Sequence, residues 1–212
     1  MNSELVTRSY PVDLVTRDEN NTGAITGRPI VYNSLTDLGW FDEVIDAGAL
    51  DETDLTDVRL CLNHDTSYVY ARSRRNNPAS TMRLTPDSEG LLIEADLAIE
   101  ESPKAKDFYT AIRRKDISSM SFMFSVDADS WENLDSEHPT RHITKIGSVV
   151  EVSAVTFPAY EQTEINTRNR AALDNARVAL EKAKEQRDLK TVDTDKSKEL
   201  ELLKAKISIL GG

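Results

Sequence analysis

The chain has 212 residues, 39% of them hydrophobic and 30% charged, with a formal net charge of −11. That length supports one good core with an appendage, or two small domains, and the negative charge argues against nucleic acid or an anionic membrane as partner. A single cysteine, Cys61, excludes an internal disulfide framework; with only His64, His138 and His142 beside it, no zinc site of the usual ligand set, and no cofactor, is expected.

The first residues, Met1 to Val6, contain neither a basic nor a long apolar segment, so no signal peptide is expected, and no apolar run reaches membrane-spanning length. Residues 1–35 read as strands joined by turns. Val12 to Thr16 leads into a polar turn at Arg17 to Gly23, and Ala24 to Tyr32, interrupted by Gly27 and Pro29, reads as a bent or bulged edge strand. Leu38 to Leu50 is dense in apolar residues, with glycines at tight turns. Trp40 and Phe41 suit a cleft wall, though core packing is the commoner fate of such aromatics. Residues 51–57 form an acidic link or short helix. Val58 to Asp65 reads as a strand with Val58, Leu60, Leu62 and His64 on one face and Arg59, Cys61 and Asn63 on the other. His64 is thereby placed at the rim of the core.

Tyr68 to Ser73 and Thr81 to Leu84 read as two further strands around a basic, polar loop. Thr81 to Leu84 pairs as a hairpin with the alternating run Leu91 to Ile99, across a turn at Pro86 to Gly90. Ser102 followed by Pro103 starts a helix with Ala105, Phe108 and Ile112 as its apolar stripe and cations from Arg113 to Lys115 at its end. Beyond it Met120, Phe122, Phe124 and Val126 alternate with Ser121, Met123 and Ser125, a strand. Asp127 to Arg141 is polar and reads as a loop, with His138 and His142 exposed. Gly147 to Pro158 is the most strand-like run. Val150, Val152 and Ala154 point one way; Val149, Glu151, Ser153, Val155 and Phe157 point the other, as expected of a central, buried strand. From Glu161 the composition changes. Leu173, Ala176, Leu180 and Ala183, and later Leu200, Leu203, Ile207 and Leu210, recur at helical steps around a polar stretch starting at Thr191. The division expected is a domain over 1–165 and a coiled-coil-like helical tail over 166–212.

Three residues invite a chemical reading. Ser121 is presented by a strand that its apolar neighbours anchor, which suits a nucleophile, but a serine needs a base and the base an orienting group. His64 can be that base, or a histidine simply hydrogen-bonded into the structure. Glu151 is a carboxylate in apolar surroundings and must be paired, either to an arginine or to a histidine it orients. The residue pattern alone leaves each alternative open.

Taken as an ordered set, Leu62-Asn-His-Asp65, Met120-Ser-Phe122 and Glu151-Val-Ser-Ala-Val-Thr-Phe-Pro-Ala-Tyr160 resemble the tailed-phage prohead maturation proteases, serine peptidases related in fold to the herpesvirus assemblins. Phe41 to Leu50, the hairpin from Leu84 to Leu97 and the helix end from Ala111 to Ser118 resemble further family segments in the same order. The resemblance spans roughly residues 10 to 165. It departs at Tyr70 to Ser73, where a glycine is frequent, and at Met123, where a glycine is usual. It implies Ser121 as nucleophile, His64 as general base and Glu151 as the group orienting His64. It also implies oxyanion donors near an arginine-bearing loop at Arg141 to Ile143, and no cofactor or metal. The implied fold is α+β, a small, mostly antiparallel β-barrel flanked by helices. The implied activity is cleavage of scaffold protein, of major capsid protein extensions and of the protease itself, inside the immature procapsid in the host cytoplasm. The protein would act as a homodimer or higher oligomer, without nucleic acid or membrane partners. Two competing readings are a non-catalytic capsid-assembly protein with the same β-domain and helical arm, and an enzyme using Cys61, whose strand face is opposite that of His64.

Overall fold

Period-two apolar runs build most of the molecule. The computed structural model describes residues 5–10, 14–17, 22–157 and 177–189. In chain order these are β1 (Leu5–Tyr10), β2 (Val15–Thr16), β3 (Ala24–Val31), β4 (Thr36–Asp37), β5 (Asp42–Ile45), β6 (Asp57–Leu62), β7 (Ala71–Arg74), β8 (Met82–Asp87) and β9 (Gly90–Asp96), then α1 (Pro103–Arg113), β10 (Ser119–Glu132) and β11 (Thr140–Val155). Residues 177–189 form a second helix, α2. The fold is α+β and mostly strand.

The strands form two sheets. In the larger, the order β1-β10-β11-β5-β4 is extended by β6, which pairs with β11, and by β7, which pairs with β6. The smaller has the order β2-β3-β9-β8. The larger sheet is mixed, because β11 is antiparallel to β10 but parallel to both β5 and β6. Neither sheet closes on itself among the described residues, where the family resemblance implied a barrel. The sixteen-residue β11 runs past β5 with its first part and past β6 with its second, so it serves two neighbours in succession rather than closing a ring. One apolar core joins the sheets, with Ile25, Leu91 and Ile93 from the smaller packed with Phe122, Phe124 and Val152 from the larger.

Several local expectations hold. Ser102 caps α1 by accepting a hydrogen bond from the Ala105 amide at 3.2 Å, and the helix buries Ala105, Phe108, Tyr109 and Ile112. The Tyr70 ring lies 4.2 Å from that of Phe108, pinning the helix to the chain before β7. The β8–β9 hairpin forms, and its Gly90 sits at φ +142° against the Ile30 carbonyl, where a side chain would overlap the backbone. β3 carries the expected bulge between Gly27 and Ile30, but it is not an edge strand, since β2 pairs with it on one side and β9 on the other.

Residues 51–57 take the first of their two expected forms, an acidic link of turns that runs into β6, and not the second, a helix. Other expectations do not hold. Asp127 to Arg141 is not one loop: β10 continues through Glu132 and β11 starts at Thr140. Polar composition misled because these residues have an exposed face but a fixed partner, from Asp129 opposite Ile143 to Glu132 opposite Thr140. In the tail, Leu180 of α2 is buried against Leu38 and Phe41, with Trp131 and Leu134 beside them. The other tail positions read as heptad residues, apart from Ala183, lie outside the described residues.

Candidate active site

Four small residues line up across the larger sheet. Ser9 of β1 is in register with Ser121 of β10, Ser121 with Ser153 of β11, and Ser153 with Cys61 of β6. All four are buried. Such a row leaves space above the sheet that bulky side chains would fill.

His64 occupies that space, by a route the strand pattern did not anticipate. β6 ends at Leu62, so His64 is not a strand residue in phase with Val58 and Leu60. Asn63 and His64 both take left-handed backbone, at φ 51° and 60°. This conformation costs on the order of 1–3 kcal/mol for non-glycine residues and needs compensation from its surroundings. The Asn63 amide donates to the Ala154 carbonyl at 2.9 Å, and the Asn63 side chain binds Thr156. The His64 amide donates to Ser153 Oγ at 3.0 Å. The turn is thus stitched to the end of β11, and the imidazole swings back over the sheet.

There it meets both remaining candidates. His64 Nδ1 lies 2.6 Å from Glu151 Oε2, and His64 Nε2 lies 2.7 Å from Ser121 Oγ. Glu151 is 3% exposed and Ser121 0%. Arg59 is the register neighbour of Glu151 on β6, but its guanidinium turns to Asp57 at 2.9 Å. The alternative of an arginine pair for Glu151 is therefore not what forms; its carboxylate faces His64 and Ser153. A carboxylate accepting from Nδ1–H leaves Nε2 unprotonated and facing the serine hydroxyl, the tautomer that general-base chemistry requires.

Ser153 is a site residue that the pattern placed on the face of Glu151 without assigning it a task. Its hydroxyl donates to Glu151 Oε1 and accepts from the His64 amide, joining the carboxylate to the histidine turn. The signal was the spacing Glu-x-Ser on one strand, which keeps both side chains on one face. Ser153→Ala should lower kcat roughly tenfold with KM little changed, because both partners lose a buried hydrogen bond while the substrate loses none. Steady-state kinetics on a peptide substrate would read that split.

The other expectations fare differently. Arg141 is carried by β11, not by a loop, and its guanidinium bonds Asp129 at 2.6 Å and Glu43 at 3.2 Å. Cys61 is buried, and its thiol is pushed up to about 11 by burial and by the nearby Glu151 charge. A thiol so protonated is a poor nucleophile. Iodoacetamide should leave Cys61 unmodified in the folded protein and alkylate it in denaturant, as read by intact mass. His138 and His142 each pair with a carboxylate: Asp42 at 3.1 Å and Asp46 at 2.8 Å. Asp37, Asp42 and His138 have metal-ligand types with ligating atoms within 4.8 Å of one another, partly exposed and away from Ser121.

A network with no signature in the sequence lies next to the serine. Arg8 of β1 and Glu43 of β5 are fully buried and form a two-pronged pair, Nε to Oε1 at 2.5 Å and a terminal nitrogen to Oε2 at 2.9 Å. Arg141 reaches the same carboxylate. Burial alone would push the Glu43 carboxyl up, but the two guanidinium groups outweigh it and hold it below its ordinary value.

A family model described as caudovirus prohead serine protease matches residues 11–177. The chain belongs to this family. No curated protein and no solved structure matches it. The protease is accordingly a member of a serine peptidase family, and the match covers Ser121, His64 and Glu151. Among the described residues no helix is long and apolar enough to cross a membrane.

Proposed function

We propose that this prohead protease is a serine endopeptidase of capsid maturation, acting through Ser121, His64 and Glu151. The observation that carries the reading is the unbroken path from Glu151 through both nitrogens of His64 to Ser121 Oγ. In the reaction Ser121 Oγ attacks the scissile carbonyl carbon while its proton passes to His64 Nε2. The tetrahedral intermediate collapses, the C–N bond breaks, and His64 returns the proton to the leaving amine. Water, deprotonated by the same nitrogen, then releases the acyl group and restores Ser121. Glu151 holds the tautomer and balances the transient imidazolium charge.

The substrates that family membership supports are capsid proteins: the extension of the major capsid protein, the scaffold, and the protease itself, inside the procapsid. Intact mass followed over time for wild type and Ser121→Ala, with and without scaffold protein, tests the reading. Cleavage confined to the wild type is the expected result. Equal cleavage in both would remove Ser121 from the mechanism, and two intact proteins would favour the non-catalytic assembly role.

A further inference from the structure

β1 lies at the edge of the larger sheet, beside the strand that carries Ser121. It runs antiparallel to β10 from Leu5 opposite Ser125 to Tyr10 opposite Met120. Ser121 is left with no exposed surface, and its hydroxyl donates to the Arg8 carbonyl oxygen at 2.7 Å. A hydroxyl has one hydrogen. It cannot serve both the Arg8 carbonyl and an unprotonated His64 Nε2, each 2.7 Å away, so the two acceptors compete for it. With β1 in place the serine has no exposed surface, and a backbone carbonyl competes with His64 for its hydrogen.

What holds β1 is mainly polar. Leu5 is exposed and Val6 only partly buried, whereas Arg8 and Ser9 are buried. Beyond its ladder to β10 the strand is fastened by the Arg8–Glu43 pair and by Val6, which packs against the core. Glu43 also holds Arg141, so departure of Arg8 would not leave that carboxylate alone in the core. A strand fastened this way can leave at modest cost, and the edge it vacates is a row of free backbone groups to which an extended peptide adds.

We propose that β1 is a displaceable latch that keeps the protease latent, and that Ser121 becomes accessible only when β1 leaves the β10 edge. This rests on Ser121 being the nucleophile, and the test separates the two. The full-length chain is treated with a serine-directed fluorophosphonate, which forms an Oγ–P bond and expels fluoride only where His64 can take the proton. Labelling is located by mass spectrometry. Arg8→Gln should label Ser121 about 10- to 100-fold faster than wild type, the gain in open population expected from losing charge-assisted hydrogen bonds. A disulfide between Thr7→Cys and Met123→Cys, register partners on the two strands, should suppress labelling until reductant is added. Unfolding cannot mimic the gain, because His64→Ala in the Arg8→Gln background should abolish it. Equal labelling of Ser121 in wild type, Arg8→Gln and the oxidised clamp would overturn the latch and leave the nucleophile standing. No labelling in any of them would overturn both.

Discussion

Glu151→Gln should lower turnover by roughly 10⁴-fold, on the scale known for replacing the acidic member of a serine triad by its amide, while the protease stays folded. The glutamate accepts a hydrogen bond from His64 Nδ1–H across 2.6 Å. Glutamine is nearly the same shape and can present its N–H₂ to Nδ1, which then becomes the acceptor. The proton moves to Nε2, the nitrogen 2.7 Å from Ser121 Oγ, and the base is lost. The carboxylate charge that would balance the imidazolium is lost with it. Since substrate binding does not pass through this residue, kcat should carry the effect and KM should change little. On the proposed mechanism the three residues act as a unit, so adding Ser121→Ala to Glu151→Gln should cost no more than Ser121→Ala alone. Single-turnover cleavage of a capsid-derived peptide, with circular dichroism as the fold control, would measure this. A loss smaller than tenfold would reduce Glu151 to a structural partner of the His64 turn.

How much of this was legible beforehand depends on the range of the interactions. The Ser121 strand, the central strand of Glu151, the α1 cap and the β8–β9 hairpin follow from periods and capping residues within about ten positions, and all are present. The position of His64 at the core rim was legible, but its backbone was not. Alternation continued the strand through His64, whereas the chain turns at Asn63 because Ser153, Ala154 and Thr156 of β11 supply the partners that a left-handed turn needs. Asp127–Glu132 and Thr140–Arg141 read as loop, since polar residues that pair across a solvated hairpin look locally like residues that pair with nothing. The Arg8–Glu43–Arg141 network was invisible for the same reason carried further. Its members are spread from β1 to β11, and charged residues give no pattern that announces burial.

That network sets the largest stability effect expected. Glu43→Ala should destabilise the protease by about 3–5 kcal/mol, the usual cost of removing one partner from a buried ion pair. The residue is fully buried, and its loss would leave Arg8, itself 1% exposed, and Arg141 with uncompensated charge in the core. Arg8→Gln should cost less, because Arg141 still serves Glu43. Urea unfolding followed by tryptophan fluorescence would rank the two. The pH dependence has a fixed sign. The Glu43 carboxyl is held below its ordinary value in the folded state. Its contribution is therefore complete above the ordinary glutamate range and is lost as pH falls through the lowered folded value. Wild type should lose stability on acidification over that window, and Glu43→Ala, having no such group, should lose less. The same carboxylate holds Arg8 of β1, so on the latch proposal neutralising it frees the strand beside Ser121 as well as weakening the fold. If Glu43→Ala matched wild type at neutral pH, the two arginines would have to be reaching water, and the fastening of β1 would rest on its backbone ladder and Val6.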